Sequence, residues 1–179
     1  MRDATRAGGE TLDRYTPFQV AVLVLLRIFI GWHFLYEGLA KLTNPYWTSA
    51  GYLAESKWWF AGIFTDIAAN PTALTIVDYV NAWGLLLIGI GLMLGLFTRS
   101  ATIVGMVLLF LYYIAAPPFV GFVYSMPTEG SYLVVNKVLI ELAALAVLLA
   151  FPTGRVFGLD RWLPWKRQSD RAALGQAGA

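Results

Sequence analysis

No cysteine occurs among the 179 residues, which removes structural disulfides, thiolate metal sites and dithiol redox chemistry in one step. There is a single histidine, His33, so neither a bis-histidine haem nor a site built from several imidazoles can form within the chain. Charge is also scarce: Asp, Glu, Lys and Arg make up 13% of the residues and leave a net charge of only +2. The basic residues lie near the ends of apolar segments, which is a topology signal and not a nucleic-acid footprint. No flavin or dinucleotide motif is present. Gly84, Gly89, Gly91 and Gly95 lie in an apolar span, where small residues serve close helix packing rather than phosphate binding; Gly91 and Gly95 form a G-x-x-x-G pair.

Apolar residues are abundant. They account for 58% of the chain and give a mean hydropathy of +0.62, against about 45–50% apolar residues in soluble domains. This composition predicts an integral membrane protein with lipid as its surroundings. Transmembrane helices are expected at Phe18–Leu42, Ala73–Phe97, Thr98–Ala116 and Ser131–Phe151, each near the roughly 20 residues that span hydrocarbon. Asn44-Pro45, Asn70-Pro71 and Pro117-Pro118 punctuate them. The expected fold class is all-α, a four-helix membrane bundle over residues 18–163. It is flanked by an N-terminal segment, 1–17, and a polar tail, 164–179, whose composition predicts disorder.

Arg2, Arg6, Arg14, Arg99, Arg155, Arg161, Lys166, Arg167 and Arg171 all fall on one side of this arrangement. By the positive-inside rule both termini are cytoplasmic, and in a bacterium the location is the inner membrane. The first outer loop carries Trp58, Trp59, Phe60, Ile63, Phe64 and Ile67 at a spacing that predicts one short amphipathic helix at the membrane surface. Its tryptophans suit an interfacial aromatic belt better than a ligand-stacking site.

Within the apolar spans sit residues that hydrocarbon disfavours. A charge at the bilayer centre costs roughly 2.5–3.5 kcal/mol on insertion scales, so such groups pair or line a polar cavity. His33, Glu37 and Lys41 recur every four residues and share one face of helix one. Asp78 and Asn81 begin helix two, and Asn136 and Lys137 begin helix four, so three helices carry polar groups at the depth where helix one ends. Arg27 and Glu141 fall deeper and are expected to pair. Two readings follow: structural pairs that hold helices together (Glu37 with Lys41 or Lys137, Arg27 with Glu141, Asn81 with Asn136), or an outward-facing polar pocket.

Leu26-Arg27 with Gly31-Trp32-His33-Phe34-Leu35-Tyr36-Glu37-Gly38 and Lys41 resembles the opening helix of the DoxX/DoxD family. Leu96-Phe97-Thr98-Arg99 resembles that family's turn after helix two, and Asn136-Lys137 with Glu141 its fourth-helix motif. The resemblance implies a small four-helix membrane protein, similar to the membrane subunit of an archaeal thiosulfate:quinone oxidoreductase. It points to Arg27, Glu37, Lys41, Asn136, Lys137 and Glu141 as the positions to carry over. On this reading Glu37, His33 and Lys137 form the catalytic group, serving proton delivery and hydrogen bonding. Arg27, Lys41, Asp78, Asn81, Asn136 and Glu141 contribute to binding a quinone or a small anion. The chain has no evident electron carrier of its own, so other membrane or periplasmic subunits are expected as partners. The alternative is a non-catalytic scaffold whose glycine-rich second helix meets a larger complex. A transporter is disfavoured because no inverted repeat or broken helix pair is seen.

Overall fold

The computed structural model describes residues 15–125, 133–151, 153–155 and 157–162. Most of the expected N-terminal segment and the whole expected tail lie outside the described residues, as do Ser131 and Tyr132. Among those described the chain is all-helical, with α1 at Pro17–Thr43, α2 at Ala50–Ala54, α3 at Ala61–Ala69, α4 at Pro71–Leu94, α5 at Thr98–Ala115 and α6 at Lys137–Ala150. Two short 3₁₀ turns follow, at Thr153–Arg155 and Leu159–Trp162.

Local capping chemistry sets the boundaries. Thr16 and Gln19 form a capping box: the Gln19 amide donates to Thr16 Oγ1 at 3.3 Å and the Thr16 amide to Gln19 Oε1 at 2.8 Å, with Pro17 at the first helical position. Asn70 Oδ1 accepts from the amides of Thr72 and Ala73, so α4 begins at Pro71, two residues before the expected start. It ends three residues early because Gly95 is left-handed, at φ 64°. Asn136 is extended and its side chain accepts from Leu139 N at 3.0 Å, which starts α6 at Lys137 rather than at Ser131.

Three helices, α1, α4 and α5, are long and apolar enough to cross a membrane. At 14 residues α6 extends only about 21 Å, short of the roughly 30 Å hydrocarbon core, so the expectation of four spans is met by three. The four long helices nevertheless pack around one core. Ile30 and Phe34 of α1 meet Leu85, Ile88 and Leu92 of α4, Leu109 of α5, and Leu145 and Leu148 of α6. Outward-facing side chains are large and apolar, among them Phe29, Trp32, Val80, Leu87 and Phe110, as lipid contact requires.

The tightest seam joins α1 to α4. A Cβ on Gly89 would lie 2.3 Å from Leu35 N, and one on Gly38 would lie 2.5 Å from Leu86 N, so the two backbones touch where only glycine fits. Gly91 and Gly95, expected as a helix-packing pair and, on the scaffold alternative, as a surface for a partner, instead face the chain's own turn: Gly91 meets Leu96 and Ala101, and Gly95 meets Gly158 and the Arg27 guanidinium. The helix-packing role assigned to glycine is thus carried by Gly89, with Gly31 and Gly38 opposite.

The α4–α5 turn and the 3₁₀ turns define the terminal end of the molecule; α2, α3 and the starts of α4 and α6 define the loop end. Arg27 is buried and points toward the terminal end, donating to Thr153 Oγ1 at 3.2 Å and to the Phe157 carbonyl. Its expected pairing with Glu141 does not form, because the chain after α6 folds back and supplies acceptors at that depth. Asp160 completes this closure: its carboxylate accepts from Phe97 N at 2.8 Å and Thr98 N at 3.0 Å, capping α5.

At the loop end the expected surface helix is α3, shorter than the aromatic run, and a further short helix, α2, precedes it. The aromatic run is split because α3 begins only at Ala61. Ahead of it, Trp58 stacks on Trp59 with centroids 5.1 Å apart and meets Phe119 edge-on at 5.3 Å. No residue of α3 is buried.

Candidate functional site

All four long helices line a cavity of about 160 Å³ near the loop end. Its apolar walls are Phe34, Leu85, Leu109 and Val138; its polar groups are His33 and Glu37 of α1, Tyr112 of α5, and Lys137 and Glu141 of α6. A hollow of mainly apolar lining with a few convergent polar groups is the usual form of a small-molecule site.

Helical periodicity places the α1 contribution. His33, Glu37 and Lys41 stand one turn apart on one face, and the Lys41 ammonium donates to Glu37 Oε2. The same ammonium lies 5.4 Å from the Trp47 ring centroid, which turns Lys41 away from the cavity. Facing this stripe, Glu141 Oε1 is 3.0 Å from His33 Nδ1. The approach falls outside hydrogen-bond geometry, so Oε1 is a buried acceptor without a hydrogen-bond donor. The His33 side chain is about half exposed and that of Glu141 is largely covered, so the pair sits at the mouth of the hollow. Lys137, in the first turn of α6, completes the polar rim.

The roof comes from α2. Tyr52 packs edge-on against Tyr112 with centroids 6.1 Å apart, and its hydroxyl donates to the Tyr112 carbonyl at 2.7 Å. Burial pushes the Tyr52 phenol well above its ordinary pKa and keeps it a neutral donor.

Of the residues singled out in the sequence, the fold brings His33, Glu37, Lys137 and Glu141 to one cavity and keeps Lys41 beside it. Asn81 is one step removed: its Oδ1 accepts from the Tyr112 hydroxyl in the cavity wall, and the expected Asn81–Asn136 pair does not form because Asn136 caps α6. Asp78 holds the α1–α2 connection, accepting from Thr48 Oγ1 at 2.8 Å and from the Ser49 amide at 2.9 Å. Arg27 belongs to the terminal-end closure. Sequence reasoning missed Tyr112, whose one signal was a phenol inside an apolar span, and Asp160, whose partners are backbone amides invisible to any side-chain pattern. Among the described residues no group of three His, Asp or Glu gathers as metal ligands.

The DoxX family model matches residues 22–118, more than half of the chain and all of α4 and α5. The chain belongs to the DoxX family. No curated protein and no solved structure matches it. The family range of this DoxX protein covers His33, Glu37 and Tyr112; Lys137 and Glu141 join the site through the packing of α6 beyond that range.

Proposed function

We propose that this DoxX protein is a redox-associated membrane subunit that binds the polar head of a quinone, or a small anion of similar size, in the cavity between α1, α4, α5 and α6. One observation carries the reading: the juxtaposition of His33, Glu37, Lys137 and Glu141 around a mainly apolar hollow. A volume near 160 Å³ matches the scale of engineered cavities that admit one benzene ring, so a single-ring head fits where a fused cofactor does not. Reduction of a quinone to the quinol takes up two electrons and two protons. The chain's groups suit the proton half: Lys137 and His33 offer donors to the ring oxygens, and Glu37 and Glu141 exchange protons with His33. The electrons come from a partner subunit carrying a redox cofactor, because this chain has no cysteine and one histidine.

In this reading α6 is the fourth element of the membrane bundle. Both termini are cytoplasmic, the cavity opens toward the outer leaflet, and the membrane is a bacterial inner membrane.

The test is purification in mild detergent, followed by mass spectrometry of extractable quinone and of co-purifying proteins, for the native chain and for Glu37→Gln and Lys137→Met. The expected result is near-stoichiometric quinone with the native protein and its loss from both folded variants. Absence of quinone from the native protein, together with no binding of added quinone, would remove the reading.

A further inference from the structure

A second hollow, of about 290 Å³, lies at the terminal end of the α1–α6 seam, lined by Tyr15, Phe18, Gln19, Val22, Leu23 and Phe151. Its lining is apolar apart from Gln19, whose Oε1 is already taken by the Thr16 amide at 2.8 Å. Tyr15 closes it, edge-on to Phe151 at 5.8 Å. Successive helical residues turn by about 100°, so Gln19 and Val22 fall within about 40° of His33 around the α1 axis. Leu26 and Phe29, between the two hollows, fall within the same arc. Both hollows therefore open on one face of α1, and α6 borders each, through Glu141 above and Phe151 below.

Of the four seams between neighbouring long helices, α1–α6 has the sparsest contact. The separation also suits a chain-like occupant: from His33 to Val22 is about 16 Å along the helix, and to Gln19 about 21 Å. A water-soluble anion has no use for an apolar track of that length beside its site.

We propose that the ligand is a membrane-dissolved quinone that reaches the cavity sideways between α1 and α6. Its ring seats beside His33 and Glu141, and its isoprenoid tail lies along the α1 face into the Tyr15–Phe151 hollow. This inference rests on the quinone reading of the cavity and decides it against the small anion. Lateral access explains why His33 and Lys137, polar residues at the rim, are exposed among lipid-facing neighbours such as Trp32, Tyr36 and Ile140.

The test uses the full chain in nanodiscs of fixed lipid content, with two probes that share one quinone head: one with a decyl tail and one with a methyl group in its place. Val22→Trp fills the lower hollow from an exposed position, and Val80→Trp makes the same change on the outer face of α4. Val22→Trp should weaken the decyl quinone about tenfold, the effect of roughly two methylenes leaving a buried apolar surface, and leave the methyl quinone within about twofold. Val80→Trp should change neither. Unchanged decyl affinity in Val22→Trp would overturn the tail track while the cavity reading survives; failure of both probes to bind the native chain would overturn both. A photoreactive group at the end of a full-length isoprenoid tail, which the decyl probe is too short to replace, supplies a readout independent of the variant. Crosslinks to Tyr15, Phe18 or Phe151 are expected, and crosslinks confined to the outer faces of α4 and α5 would sink the proposal.

Discussion

His33 of α1 and Glu141 of α6 stand 3.0 Å apart, Nδ1 to Oε1, at the mouth of a cavity that all four long helices line. The contact joins the family-matched part of the chain to the helix beyond it. It also leaves the carboxylate oxygen without a hydrogen-bond donor, an acceptor that a bound hydroxyl or protonated ring oxygen would satisfy.

Glu141→Gln should therefore weaken binding of the quinol, whose hydroxyl donates to the carboxylate, by about tenfold, the scale of one charge-assisted hydrogen bond, while moving the unfolding midpoint little. His33→Ala should cost a similar factor, and the double variant should lose less than the two single losses combined, because the groups act together. Titration of all four proteins measures this; strict additivity would show that the two residues act separately.

The α1–α4 seam predicts opposite outcomes for two glycines on the same helix. A methyl at Gly89 would meet the Leu35 backbone, which has no side-chain freedom with which to yield, so Gly89→Ala should destabilise by about 1–3 kcal/mol or more. Gly84 has nothing within 4 Å of the added carbon, and Gly84→Ala should be neutral or stabilising by up to about 1 kcal/mol, since alanine favours the helix. Thermal unfolding in one detergent compares them directly.

Asp78 serves the α1–α2 connection and stands apart from the cavity. Asp78→Ala should free Thr48 and Ser49, a loss of about 1–2 kcal/mol, and hasten proteolytic cleavage between Asn44 and Lys57. Quinone affinity should stay within about twofold of the native value, because the cavity lining is untouched. A larger loss of affinity with unchanged proteolysis would return Asp78 to the binding residues.

Tyr52 predicts a pH dependence. Its phenol is raised in the folded protein by burial, so the unfolded chain ionises first, near pH 10. The contribution is complete below about pH 10 and is lost as the pH climbs toward the folded value. The unfolding midpoint of the native chain should fall above about pH 10, and more steeply than that of Tyr52→Phe. Parallel curves would show that the Tyr52 hydroxyl is not buried in solution.

The membrane class, the three long spans and most helix ends were legible in the sequence because their causes are local. Hydropathy is summed along the segment, and Asn70-Pro71 and Pro117-Pro118 punctuate it; the end of α4 falls three residues before the expected one, because Gly95 reads in the sequence as a packing residue and not as the left-handed stop it is. The starts of α4 and α6 moved for equally local reasons, since Pro71 tolerates a first helical position and the Asn136 side chain caps the helix after it. The split of the aromatic run was less legible: Trp58 is drawn to Phe119, far along the chain, and that contact has no trace in the run's own spacing.

The site divides along the same line. The sequence by itself determined that His33, Glu37 and Lys41 share a face, since 3.6 residues per turn decides it without reference to any neighbour. Only the tertiary structure decided that His33 meets Glu141, that Arg27 turns to Thr153 and the Phe157 carbonyl, and that Asn81 accepts from Tyr112. Such pairings depend on how each helix is rotated against the next. That rotation follows from steric fit: the bare backbones at Gly38 and Gly89 lock α1 onto α4, and the turn closed by Asp160 sets where α5 begins. The charged residues then take whichever partners this packing leaves within reach.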